Sequence, residues 1–164
     1  MAEPRRRDPL GLVRGGEGAI TGTVVCAAAI AYSAGYKESI GQLGLVILGT
    51  VAVYWIAHLH AVTIGSSLTH QHHPLTALRH AFFETLPIAG ASVVPLGVLL
   101  VSYLLGADLK TAAWVALIAS IGLLTAYSFL AGVRGGLDTW GRIGSAAAGL
   151  CLGLLVVALK VALH

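Results

Sequence analysis

The chain has 164 residues, room for one compact unit at roughly 100–200 residues per domain. Apolar residues make up 57% of it and charged residues 10%, against about 45–50% and about 25% in soluble domains, so there is too little charge to coat a water-facing surface. A mean hydropathy of +0.85 excludes disorder by low hydrophobicity, and the net charge of +3 does not point to nucleic acid, because Arg5, Arg6, Arg7 and Arg14 supply four of the ten cations within the first fourteen residues.

A basic leader followed by apolar runs predicts an all-α, polytopic membrane helix bundle. Residues 1–18 read as a basic cytoplasmic segment and residues 19–164 as a transmembrane domain. A hydrocarbon core of ~30 Å requires about 20 apolar residues per crossing, and five stretches come within a few positions of that: 19–36, 40–63, 85–105, 111–132 and 143–163. The first carries Thr21, Thr23 and Ser33 among small and β-branched residues, and Lys37-Glu38-Ser39 turns the chain back into the second. The third contains Pro87 and Pro95. No small-x-small cleavage site precedes Lys37, so the first stretch reads as a span and not as a cleaved signal. Cys26 and Cys151 each lie inside an apolar run and read as small core residues.

Cytoplasmic loops are enriched in Lys and Arg. With the N-terminus inside, Arg5, Arg6, Arg7, Arg14, Arg79, Arg134 and Arg142 fall in the cytoplasm, and Lys37, Lys110 and Lys160 fall outside. Two segments break the apolar pattern. Residues 66–84 form a cytoplasmic stretch in which Pro74 suits the first helical position, followed by Leu75, Leu78 and Phe82 on one stripe. Arg134 to Arg142, with Gly135-Gly136 and Trp140, reads as a loop at the headgroup layer.

Six of the seven histidines lie in 23 residues: His58, His60, His70, His72, His73 and His80. A hairpin between the second and third spans gathers them at the cytoplasmic face. On a helix over 74–84, His73, His80 and Glu84 share one face, being spaced by seven and four. Imidazole and carboxylate together suit a divalent cation such as Zn²⁺ or Fe²⁺, so His58, His73, His80 and Glu84 form a candidate metal set. Tyr54 and His58, also four apart, form with Pro87 and Pro95 a candidate proton-relay or cavity set. The rival reading is that these aromatic and imidazole side chains mark the boundary where water meets lipid. His70-Gln71-His72-His73 falls short of the His-x-x-His-His boxes of membrane desaturases in both spacing and number.

Ser145, Gly149 and Gly153 recur every four residues in the last span, and Gly18 and Gly22 do so in the first. Such stripes let helix backbones approach closely. The partner of the last-span stripe lies either in the same chain or in a second copy, which would make a homodimer.

Tyr54-Trp55-Ile56-Ala57-His58-Leu59-His60-Ala61, Leu78-Arg79-His80, Glu84 to Pro87 and the closing Val157 to His164 resemble a family of small integral membrane proteins of high-GC Gram-positive bacteria. In that family a glutamate follows Arg-His directly and precedes Trp-Pro, whereas here Ala81-Phe82-Phe83 stands before Glu84 and Thr85-Leu86 before Pro87. The resemblance implies a multi-pass protein of the bacterial plasma membrane and carries no mechanism.

The sequence therefore leads to a small membrane protein, in contact with the lipid bilayer and with no nucleic-acid partner, whose histidine cluster binds a cation or senses pH. The alternatives are a small transporter or channel using the proline-interrupted third span, and a membrane-embedded enzyme using His58, His80 and Glu84 around a metal.

Overall fold

A computed structural model describes residues 17–34, 39–70 and 74–163. Among them the chain is all helical: α1 (Glu17–Ser33), α2 (Ile40–His70), α3 (Pro74–Leu104), α4 (Leu109–Arg134) and α5 (Thr139–Leu163). By length and composition four helices suffice to cross a membrane, over Ile40–Gly65, Leu78–Leu104, Leu109–Arg134 and Thr139–Ala162. Their outer faces are correspondingly greasy: Leu45, Leu105 and Leu155 are each more than 60% exposed. In water such faces would be a liability, whereas in lipid they are the matched solvent.

The 17 residues of α1 rise only ~25 Å, short of the ~30 Å of hydrocarbon, and so α1 falls below the length of the other four. The expected five spans thus reduce, by this measure, to four long helices and one short one. Position explains the difference. α1 packs against all four other helices, and Ala19, Gly22, Thr23, Cys26, Ala27, Ala29, Ile30, Ala31 and Ser33 are buried in it. A helix sheathed on every side is apolar all round and has no polar face to display. Its small side chains let four neighbours close on it.

Local packing sets the directions of the helices. A Cβ on Gly22 would run into the carbonyl of Ile88, and one on Gly18 would lie 3.0 Å from Pro87 Cβ. The Cys26 thiol faces the Ser92 carbonyl at 3.7 Å. Both sequences advance together along this contact, so α1 and α3 run parallel. On the opposite seam α4 and α5 are antiparallel: Gly132 meets Ser145, Ser128 and the Leu124 carbonyl meet Gly149, and Ile121 meets Gly153. The stripe Ser145, Gly149, Gly153 thus lies against α4 of its own chain.

The breaks in the apolar pattern prove shorter than their composition suggests. α2 continues to His70 and α3 starts at Pro74, so most of 66–84 is helical. Three residues, 71–73, stand between them outside the described set. The α3–α4 and α4–α5 turns share one design. Gly106 (φ 97°) and Gly136 (φ 71°) take the left-handed backbone that closes a helix. The next amide then reaches back five residues, Ala107 N–H to Ser102 O and Leu137 N–H to Gly132 O. One residue later an aspartate caps the following helix: Asp108 accepts from the Thr111 amide, and Asp138 from the Gly141 amide at 2.9 Å. These two tight turns make neighbours of successive spans.

Candidate functional site

The α2–α3 pair carries the polar and aromatic residues that the sequence marks out. Trp55 docks α2 on α3: its indole N–H donates to Thr85 Oγ1 at 3.1 Å, and its ring meets Phe82 edge-on with centroids 5.4 Å apart. Thr85, 1% exposed, donates in turn to the Phe82 carbonyl at 3.4 Å. Phe82 stacks edge-on against Phe83 at 5.7 Å. A half-buried indole is best served by an acceptor within the protein, and Thr85 supplies it. Neither Trp55 nor Thr85 stands out in the sequence as a functional pair, because a Trp and a Thr 30 residues apart carry no periodic signal.

Two of the anticipated pairs form within single helices. His80 Nδ1 lies 3.3 Å from Glu84 Oε2, with 47% and 38% of the two side chains exposed. Tyr54 and His58 stack with centroids 6.1 Å apart and an interplanar angle of 14°. The pairs do not converge, and helical phase gives the reason. Phe82 and Thr85 face α2, so at about 100° per residue His80 and Glu84 lie roughly 130–170° around α3 from that contact. His58 is half-buried on α2, about 60° from Trp55. Among the described residues no three His, Cys, Asp or Glu side chains assemble around a point that could hold a metal ion. His73, the fourth member of the candidate set, lies outside those residues, as does His72.

His80 and Glu84 instead lie on the stripe of α3 that continues through Pro87, Ile88, Ala91 and Pro95. Pro87 and Ile88 are where α1 packs, so Glu84 lies one turn before the residues that carry the first turn of α1.

Of the candidate cavity set, Pro87 and Pro95 lie packed inside the bundle. α3 is helical without interruption from Pro74 to Leu104, and Pro87 and Pro95 inside it are both buried. Pro87 meets Gly18, and Ser92 returns its hydroxyl to the Ala89 carbonyl at 2.7 Å. A shallow open groove of ≈ 550 Å³ occurs elsewhere, on the outer face of α2, lined by Gly41, Gly44, Leu45, Leu48, Gly49 and Ala52.

One feature at the opposite end went unmarked in the sequence. Lys160 is only 5% exposed, and its ammonium lies over the Trp114 ring, 5.4 Å from the centroid. The signal was available: Lys160 continues the spacing Ser145, Gly149, Gly153, Val156 by four, which turns it to the α4 seam. Compared with family models, with curated proteins and with solved structures, the chain matches none, so what it does rests on this geometry.

Proposed function

We propose that the chain is a five-span protein of a bacterial plasma membrane, N-terminus in the cytoplasm. In this reading its cytoplasmic end responds to protons or a divalent cation through His80 and Glu84. The observation that carries the site is the His80–Glu84 contact at 3.3 Å, half-exposed beside the first turn of α1. Imidazole and carboxylate at i, i+4 supply two ligands, with water completing the shell of a bound ion, and histidine is the side chain that changes charge near neutral pH. A change of charge there acts on the electrostatics of the α1 terminus and hence on how firmly α1 seats on Pro87 and Ile88.

Centring supports the fifth crossing. The midpoint of α1, Val25, sits between Gly22, which packs at Ile88, and Cys26, which packs at Ser92, while the span Leu78–Leu104 has its own midpoint at Ala91. A helix of ~25 Å so placed falls short of each hydrocarbon face by only a few ångströms. The charges agree with this orientation: Arg79, Arg134 and Arg142 share the histidine end, and Lys110 and Lys160 the other.

Two measurements test the reading. Reporters fused to the two termini should report opposite sides of the membrane, and the same side for both would reduce the count to four. Thermal stability of the detergent-purified protein should respond to Zn²⁺ or to pH between about 5 and 8, and the response should vanish in H80Q and E84Q. Identical curves for wild type and both variants would remove the site.

A further inference from the structure

The turn between α4 and α5 holds an arginine in a fixed place and leaves its charge unpaired. Gly141 has no side chain, and this lets the turn fold back over the start of α5: a Cβ there would lie 2.9 Å from both Leu137 Cβ and Asp138 Oδ1. The Leu137 carbonyl is thereby brought within reach of Arg142, whose Nε–H donates to it at 2.8 Å. Arg142 itself starts on the seam, its Cα 3.3 Å from where a Cβ on Gly132 would sit, and is half-buried. Asp138, the acidic residue closest in sequence, accepts from the Gly141 amide at 2.9 Å, and among the described residues no carboxylate pairs with Arg142. A neutral carbonyl takes one N–H of the guanidinium and none of its charge, so the two Nη groups keep their donors in a plane that is already oriented. Residues 135–138 lie between the spans Leu109–Arg134 and Thr139–Ala162, which puts the turn at the edge of the hydrocarbon. Arg142 belongs to the second span, and its bond to Leu137 carries the guanidinium back out to that edge, as long cationic side chains do at membrane boundaries.

We propose that Arg142 binds the phosphate of an anionic phospholipid at the α4–α5 turn. The two Nη groups match two phosphate oxygens as a planar fork, and because Leu137 already holds the side chain, little rotamer freedom remains to be lost on binding. A zwitterionic headgroup brings its own ammonium to the same place, so the unpaired guanidinium favours a lipid whose headgroup carries net negative charge. Leu137 and Trp140, 43% and 79% exposed, offer the same lipid an apolar contact and an indole suited to the headgroup layer. A free phosphate ion would satisfy the guanidinium and leave this apolar surface unused. Arg134 is the contrast at the same end of the bundle: it is exposed, lies about 200° around α4 from Gly132 and so is turned away from the seam, and no described carbonyl holds its side chain.

The test is native mass spectrometry of the full chain, loaded from mixed micelles with phosphatidylglycerol and phosphatidylcholine at an ionic strength of about 0.5 M, where charges that are only near the headgroups are screened. Wild type should retain phosphatidylglycerol preferentially. R142Q should cut the preference about tenfold, the order of one hydrogen bond to a charged group, and R142K should recover only part of it, because lysine keeps the charge without the fork. R134Q should leave the preference unchanged. Thermal melting without added lipid shows whether R142Q folds, and if it does not, wild type against R142K and R134Q decides. Equal retention of the two lipids by wild type, an undiminished preference in R142Q or R142K, or a loss in R134Q as large as that in R142Q would overturn the proposal. Displacement of phosphatidylglycerol by excess inorganic phosphate would assign Arg142 to a free anion and overturn the lipid assignment.

Discussion

Gly22→Ala isolates the contact on which the bundle centre depends. The added Cβ would fall on the carbonyl of Ile88, a backbone atom that has no rotamer with which to move aside. α1 and α3 must separate, and overpacking of this kind costs up to about 3 kcal/mol. Replacing glycine by alanine inside a helix returns about 1 kcal/mol of backbone propensity. The net loss is therefore about 2 kcal/mol, roughly thirtyfold in the folding equilibrium. Gly49→Ala is the internal control, because nothing lies within 4 Å of its added Cβ and only the propensity gain of about 1 kcal/mol remains. The two single-methyl variants should accordingly differ by about 3 kcal/mol, with opposite signs relative to wild type. Unfolding by sodium dodecyl sulfate in mixed micelles, followed by circular dichroism, measures both. If Gly22→Ala proves as stable as Gly49→Ala, α1 does not sit on α3 as described, and the central placement of α1 is wrong.

Thr85→Val should cost about 1 kcal/mol by depriving the Trp55 indole of its acceptor, and a double-mutant cycle with Trp55→Phe should return a coupling of similar size; additive losses would refute the bond. Gly149→Val drives a branched side chain into Ser128 and the Leu124 carbonyl, so a loss of about 2–3 kcal/mol is expected in the same unfolding assay, and a neutral result would mean that the α4–α5 seam is looser. Hydrogen bonds from the Thr111 side chain and amide hold the Asp108 carboxyl below its ordinary value, so this carboxylate stabilises the folded state above the usual aspartate range and the benefit is lost as pH falls towards the lowered value. Wild type should therefore melt above Asp108→Asn at pH 7 and lose that margin on acidification to about pH 3, and a margin unaltered by acid would refute the assignment.

The long helices were legible because lipid imposes a single strong requirement, some twenty apolar residues per crossing, and α2 to α5 meet it. The glycine and serine positions were legible too, since a four-residue spacing identifies the stripe even where it does not identify the neighbour. Reach was harder to read. The histidines of the second and third spans fall in a short stretch of sequence, yet proximity in sequence does not set phase: Trp55, Phe82 and Thr85 occupy the α2–α3 contact and turn His80 and Glu84 to the α1 side. The segment Arg134 to Arg142 reads as a loop in the sequence because polar residues and glycines look alike whether they end one helix and start the next or only link them. What separates the cases is a glycine with positive φ two residues before an aspartate, a local rule that hydropathy does not register.

The short helix connects these points. A helix that faces lipid is selected for hydrophobicity and length together, whereas one enclosed by four neighbours is selected for small volume. That difference explains why α1, with Gly18, Gly22, Cys26 and a run of alanines, is shorter than its neighbours while being the most deeply buried helix of the bundle. Enclosure also places its ends. Because the described α1 is centred on α3 and shorter than it, α3 extends past the level of Glu17, and the turn beyond holds Glu84 and His80. A surface α1 would not have needed glycine at residue 22.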